Sequence, residues 1–209
     1  MCRKCWNRLK TAMRFKLFGA EVCVTFPFSA LIAFLLFTDR TGLALPFFAA
    51  VLLHETGHLF AMWALDYAPT RIRLSPAAVE ITSPPAPLFR EEILIALSGP
   101  LTNFLLFGTF GLAFRLWGGQ ACLSFALINA LIGAFNLLPV TGLDGGTVLR
   151  GIATRLFGVR KARLIMFAAG LFCAALCLAA GVFLFLHGVQ NPTPLIMALY
   201  FLVATLMKM

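Results

Sequence analysis

Six long apolar runs divide this chain, and no other feature constrains its fold as strongly. Val22–Thr38, Ile93–Phe114, Leu164–Leu186 and Val189–Met207 contain no Asp, Glu, Lys or Arg. Thr41–Leu65 is apolar except for a cluster at His54, Glu55 and His58, and Leu116–Leu143 is uncharged but broken near its end by Pro139 and Gly142. A helix that spans a bilayer needs about 20 apolar residues, so six of them occupy most of 209 residues. No length remains for a second folded domain, which excludes a soluble sensor, an ATPase module or a large ectodomain. Composition agrees. The chain is 61% hydrophobic and 12% charged, whereas soluble domains run about 45–50% and about 25%. The same numbers exclude disorder. The expectation is an all-α membrane fold: a six-helix transmembrane bundle forming a single unit over 1–209, with spans near 21–38, 41–65, 93–114, 117–140, 164–187 and 192–207.

A formal net charge of +9 in a soluble chain would suggest nucleic acid. Here the basic residues sit between apolar runs, where they orient a bundle against an anionic leaflet, and no nucleic-acid partner is expected. Alternate inter-span segments hold 15 of the 17 Lys and Arg residues, including Arg3 to Lys16, Arg71, Arg73 and Arg90, and Arg150 to Arg163. The positive-inside rule therefore puts both termini in the cytosol of a multi-pass cell-membrane protein. The basic amino-terminal stretch and the apolar run after it are similar to a signal peptide. No small-residue cleavage site follows Phe37, and the charged Asp39 and Arg40 come next, so this is read as an uncleaved first span.

Residues 66–92 form the longest inter-span segment. Alternation through Arg71-Ile72-Arg73-Leu74 and Val79-Glu80-Ile81 around Ser75-Pro76 suggests a small β-hairpin at the cytosolic membrane surface; an irregular loop is the alternative. Pro84, Pro85 and Pro87 end regular structure before the third span. No internal repeat of the kind many transporters carry is visible.

Ionisable residues inside spans are costly and usually functional. Two of the three histidines fall in His54-Glu55-Thr56-Gly57-His58. Positions i and i+4 share a helix face, so both imidazoles can grip one metal ion. Glu55 lies beside them and can take a proton from an activated water. With this composition the pattern arises by chance with a probability of about 0.002, and a structural reading leaves a carboxylate unpaired in lipid. Tetrahedral zinc with one open position needs a third ligand. The topology puts His187 on the outer side, away from His54. Glu21, Glu91, Glu92 and Asp144 are the carboxylates near the inner half. Asp144 is favoured, because it follows the helix-breaking Pro139 and Gly142 and precedes Gly145 and Gly146, and broken backbone at membrane depth suits a wet cavity. Glu21 lies on the same side and remains an alternative, with an interfacial role at a helix start as its ordinary reading.

The His54–His58 motif, together with Asn136-Leu137-Leu138-Pro139-Val140-Thr141-Gly142-Leu143-Asp144-Gly145-Gly146, closely resembles the site-2 protease family of intramembrane zinc metalloproteases. Ser98-Gly99-Pro100 with Asn103 looks like that family's small-residue–Gly–Pro–x–x–Asn element. The resemblance runs from about the first span to the sixth and is nearest to the stage IV sporulation protein FB branch. It implies regulated intramembrane proteolysis. His54, His58 and Asp144 would bind Zn2+, and Glu55 would be general base and then proton donor to the leaving amine. Asn136 would hold the substrate strand, and the hairpin at 70–82 would correspond to a sheet that can pair with an extended substrate. The implied substrate is a membrane-tethered protein cut near the cytosolic face, a pro-sigma factor during sporulation being the best-matched class, with regulatory membrane proteins as further partners. Relatives often have a second proline where Gly142 stands and an arginine where Thr147 stands. Sporulation-type members often add a nucleotide-sensing CBS domain after the last span, and none is expected here.

The competing function is an intramembrane metal-binding transporter or channel, which explains His and Asp ligands but has no use for Glu55 as a base. Cys2-x-x-Cys5 lacks the second pair that a zinc ribbon needs. Cys173 and Cys177 share a helix face and read as packing. Asn129 reads as an interhelical hydrogen-bonding residue, and Gly108 and Gly111 as positions of close helix approach.

Overall fold

In a computed structural model of the chain, the described residues are 12–17, 20–75, 78–83, 87–189 and 191–207. Cys2, Cys5, the basic residues Arg3 to Lys10, Pro84, Pro85 and Lys208 lie outside them. The described residues form six helices: α1 (Phe26–Thr38), α2 (Ala44–Ala64), α3 (Phe89–Trp117), α4 (Gln120–Asn136), α5 (Asp144–Leu186) and α6 (Thr193–Leu206). Of these, α2, α3 and α5 are long and apolar enough to cross a membrane, while α1, α4 and α6 are apolar but shorter. Exposed Phe34, Phe37, Phe60, Trp63, Leu105 and Phe183 give the bundle an apolar exterior, as lipid-facing helices require. These features fit a multi-pass membrane protein.

The expected hairpin is half of a larger sheet. Strands β1 (Ala12–Leu17), β2 (Ala20–Thr25), β3 (Arg71–Ser75) and β4 (Ala78–Thr82) lie side by side in that order. The outer pairs are antiparallel, whereas β2 and β3 are parallel, with Val22 opposite Ile72 and Cys23 opposite Arg73. Residues 21–25, expected to begin the first span, are therefore strand. Pro27 explains the boundary: a proline in the first helical turn forfeits no hydrogen bond, and Thr25 before the helix is extended. The remaining α1 is 13 residues long, about 20 Å against a hydrocarbon core of about 30 Å.

Helix α3 is the hub, packing against α2, α4 and α5, while α6 packs along α5. Beyond α4, the 137–143 segment folds back over the start of α5. Val140 is completely buried there and packs with Leu143, Cys173, Ala174 and Phe201, and the Phe135 and Phe201 rings stack at 5.8 Å. Gly145 and Gly146 allow this, since a Cβ on either would overlap the carbonyl of Leu137 or Val140. Helix α5 bends at Gly158, whose φ of 77° is open to glycine and strained for other residues. Cys173 and Cys177 pack in or against this core as free thiols. Gly108 and Gly111, read as points of close helix approach, have nothing within 4 Å of where a Cβ would stand; helices approach closely instead at Gly57 and Gly99, and at Gly170 and Gly181 against α6.

Candidate metal centre

Helix α2 carries His54 and His58 one turn apart on its buried face, and both are nearly inaccessible, at 4% and 8% exposed. Asp144 reaches the same point from the first turn of α5, where the helix dipole favours a carboxylate. Nε2 of His54 and Nε2 of His58 are 3.1 Å apart, and Oδ2 of Asp144 lies 3.1 Å from the first and 3.3 Å from the second.

The tautomers follow from what the other ring nitrogens face. His58 Nδ1 stands 2.7 Å from the Ile95 carbonyl oxygen, which can only accept, so Nδ1 carries the hydrogen and Nε2 a lone pair. His54 Nδ1 stands 2.5 Å from Asn103 Oδ1. The Asn103 amide is oriented by Nδ2, which donates to Asn129 Oδ1 at 2.8 Å, and Asn129 Nδ2 in turn donates to the Phe125 carbonyl at 2.9 Å. The chain of donors makes Oδ1 of Asn103 an acceptor and leaves His54 Nε2 bare as well. Both asparagines are 0% exposed. Three lone-pair atoms thus converge with no hydrogen between them, and Asp144 Oδ2 is buried without a hydrogen-bond donor among the described residues.

Such a convergence is repulsive unless a cation occupies it. Tetrahedral zinc with bonds of about 2.0–2.1 Å holds its ligand atoms about 3.3–3.4 Å apart, so the three edges fit one face of that tetrahedron. His54, His58 and Asp144 also form the one group of three or more metal-ligating side chains among the described residues. The donor set, two imidazoles and a carboxylate, is consistent with zinc and leaves a fourth position open.

Close packing of α2 on α3 brings the imidazoles to this point. A Cβ at Gly99 would overlap Nε2 and Cε1 of His58 and stand 2.8 Å from Cε1 of His54; one at Gly57 would stand 2.8 Å from the Ser98 carbonyl oxygen. Glu55 is partly buried on the neighbouring face of α2, next to His54 in the chain.

The other predicted residues fall elsewhere. Glu21 is in β2, beside Arg71 at 3.6 Å. Glu92 pairs with Arg150 at 2.7 Å, and Glu91 shares the first turn of α3. His187 follows α5 at its far end, against the Phe183 ring at 4.3 Å. Asn136 ends α4 with its Nδ2 donating to the Ile132 carbonyl at 3.0 Å. The histidine-orienting roles of Asn103, Asn129 and the Ile95 carbonyl were not anticipated. Their signal is two asparagines within apolar runs, a costly choice unless each finds a partner.

The family model for Peptidase family M50 matches residues 117–178, a stretch that contains Asp144. A zinc metalloprotease of Methanocaldococcus jannaschii is 29% identical over 140 residues, which is 65% of this chain and 41% of that protein. The chain therefore spans less than half the length of this curated relative. In fold, the chain is similar to a site-2 protease from Methanocaldococcus jannaschii, with a TM-score of 0.64 at 23% identity over 93% of each chain. Residues 117–178 are thus similar to Peptidase family M50, and the fold is similar to that of a site-2 protease.

Proposed function

We propose that this chain is an intramembrane zinc metalloendopeptidase that cuts a membrane-tethered protein near the cytosolic face. The observation that carries the reading is the convergence of three lone pairs from His54, His58 and Asp144 beside a carboxylate, Glu55. Zinc, when bound there, supplies the Lewis acidity that activates water and polarises a carbonyl. Glu55 accepts a proton from the attacking water and delivers it to the leaving amine, so that water and peptide become a carboxylate and an amine with Glu55 restored. His54 and His58 stay neutral and aimed inward because Asn103 and the Ile95 carbonyl hold their Nδ1 hydrogens. Asn136, at the end of α4, holds the extended substrate strand.

The bundle sits with both termini in the cytosol, which puts the sheet and the α4–α5 connection at the cytosolic face. The substrate class is a tethered precursor of a transcription regulator, a pro-sigma factor of a sporulating cell being the first to test, with regulatory membrane proteins controlling access. A transporter would leave Glu55 without a task.

Purified wild type and Glu55→Gln, assayed together for zinc content and cleavage of a tethered pro-sigma-type substrate, test this reading. About one zinc per chain in both, with cutting by wild type alone, is the expected result. Absence of zinc from both proteins would sink it, and zinc-dependent ion flux that survives Glu55→Gln would favour the transporter.

A further inference from the structure

A cavity of about 360 Å³ opens beside Asp144 between the two halves of α5. Asp144, Thr147, Arg150 and Thr154 recur at helical spacing along the first half and face it. At Gly158 the positive φ turns the chain, so that the second half presents Arg163 to the same space, with Thr205 of α6 contributing to the wall. Two guanidinium groups and several hydroxyls thus share a chamber with the carboxylate that the site reading assigns to the metal.

The charges are unevenly used. Arg150 is held by Glu92 at 2.7 Å. Arg163 has no carboxylate or hydrogen-bond partner among the described residues, although it lines the cavity. Asp144 is the one acidic residue on the wall, and a cation bound at the centre would consume its charge. What remains is a net positive chamber, open to a guest that reaches the metal centre.

We propose that this cavity is a specificity subsite that takes an acidic side chain of the bound substrate. The proposal rests on the protease reading for its substrate but not for its chemistry, which is recognition of a carboxylate by Arg163 with help from Arg150. Asp144 and Arg150 are six residues apart on one helix, about 9 Å, which an extended peptide covers in about three residues. The acidic residue therefore belongs two to four positions from the bond that reaches the metal. A guanidinium–carboxylate contact is the charge-assisted kind, roughly twice as strong as a neutral one, and the exposure of both arginines makes it sensitive to salt.

The test is peptide binding to the full chain in zinc-loaded and zinc-free form, so that it does not depend on turnover. Fluorescent peptides of small residues carry one Asp, Asn or Lys two, three or four positions from the centre. The Asp peptide should bind about tenfold more tightly than its Asn counterpart at one of these positions. Arg163→Gln should abolish that preference, Arg163→Glu should transfer it to the Lys peptide, and Arg163→Lys should keep most of it. Equal binding of Asp and Asn peptides at all positions, or a preference that survives Arg163→Glu in a variant of unchanged melting temperature, would overturn the subsite. If the preference appears but nothing is ever cleaved, the subsite stands and the protease reading falls.

Discussion

Nδ1 of His54 lies 2.5 Å from the carboxamide oxygen of Asn103, a residue 49 positions away on another helix. That one contact fixes the imidazole's tautomer and ties α2 to α3 at the centre of the site. Asn103→Leu should keep the bundle folded and lower zinc affinity by about 10–100-fold, the range for loss of a partner to a metal-bound histidine. Asn129→Leu, one step further out, should have a smaller effect in the same direction. Competition with a chelator of known affinity measures both, and unchanged zinc affinity in Asn103→Leu would remove it from the site.

Gly99 is tested by a single methyl group. A Cβ there overlaps the His58 ring, and neither α2 nor α3 can withdraw without losing its packing. Gly99→Ala should therefore lose zinc affinity by more than about tenfold, as a displaced ligand does. Gly108→Ala and Gly111→Ala, on the same helix with open space around them, should bind zinc like wild type. Equal behaviour of all three would show that the α2–α3 contact does not aim the ligands.

Asp144→Asn should weaken zinc binding by at least about 100-fold, beyond the range of an outer-sphere change. Glu21→Gln should leave it untouched, because Glu21 belongs to the sheet with Arg71. The opposite order would reassign the third ligand.

The distribution of Lys and Arg predicts that tags at residues 1 and 209 both face the cytosol. A reporter active only outside the cytosol, fused at each end, reads the orientation directly. Activity at either end would reverse the bundle and put the metal-centre face outside.

Asp39 predicts a pH effect at the start of α2. Its carboxylate accepts hydrogen bonds from the Thr41 hydroxyl at 2.7 Å, the Thr41 amide at 2.8 Å and the Ala44 amide at 2.8 Å. Chiefly through the Thr41 hydroxyl, these hold its pKa below the ordinary carboxylate value of 3.8. A lowered folded pKa contributes order that is present above the unfolded value and lost as pH falls through the folded one. Amide exchange at Thr41 and Ala44, corrected for intrinsic rates, should stay protected at pH 5 and speed up only below 3.8. Asp39→Ala should lose that protection at both pH values, and a transition above pH 5 in wild type would contradict this role.

The site was legible where chemistry demands rare residues. His54, Glu55 and His58 stand out because ionisable groups in an apolar run need a reason, and the i, i+4 spacing brings the two rings together without further knowledge of the fold. Asp144 was favoured from the broken backbone before it, while topology alone left Glu21 open. The partners of those side chains were not legible. Asn103 and Asn129 are visible as polar residues among apolar ones, but which group each faces depends on the rotation of α3 against α2 and α4. Strand β2 was hidden for a different reason. Val22, Cys23, Val24 and Thr25 are as apolar as the helix that follows, and hydropathy does not distinguish a buried strand from a span; Pro27 was the local clue. The α5 cavity depends on the direction that the chain takes at Gly158, which no periodicity encodes.

The parallel pairing of β2 with β3 has a consequence for how the molecule is made. The chain leaves the sheet at Thr25 and rejoins it at Arg71 heading the same way, with both α1 and α2 in between. Parallel neighbours cannot be joined by a tight turn; they need a crossover. During synthesis, therefore, these two strands can zip together only after the whole α1–α2 excursion has gone out and come back on one side. A chain in which only one of these two helices crossed would leave β2 and β3 on opposite sides of the bilayer with unpaired backbone. Closure of the sheet therefore requires that both helices have crossed, the histidine helix included.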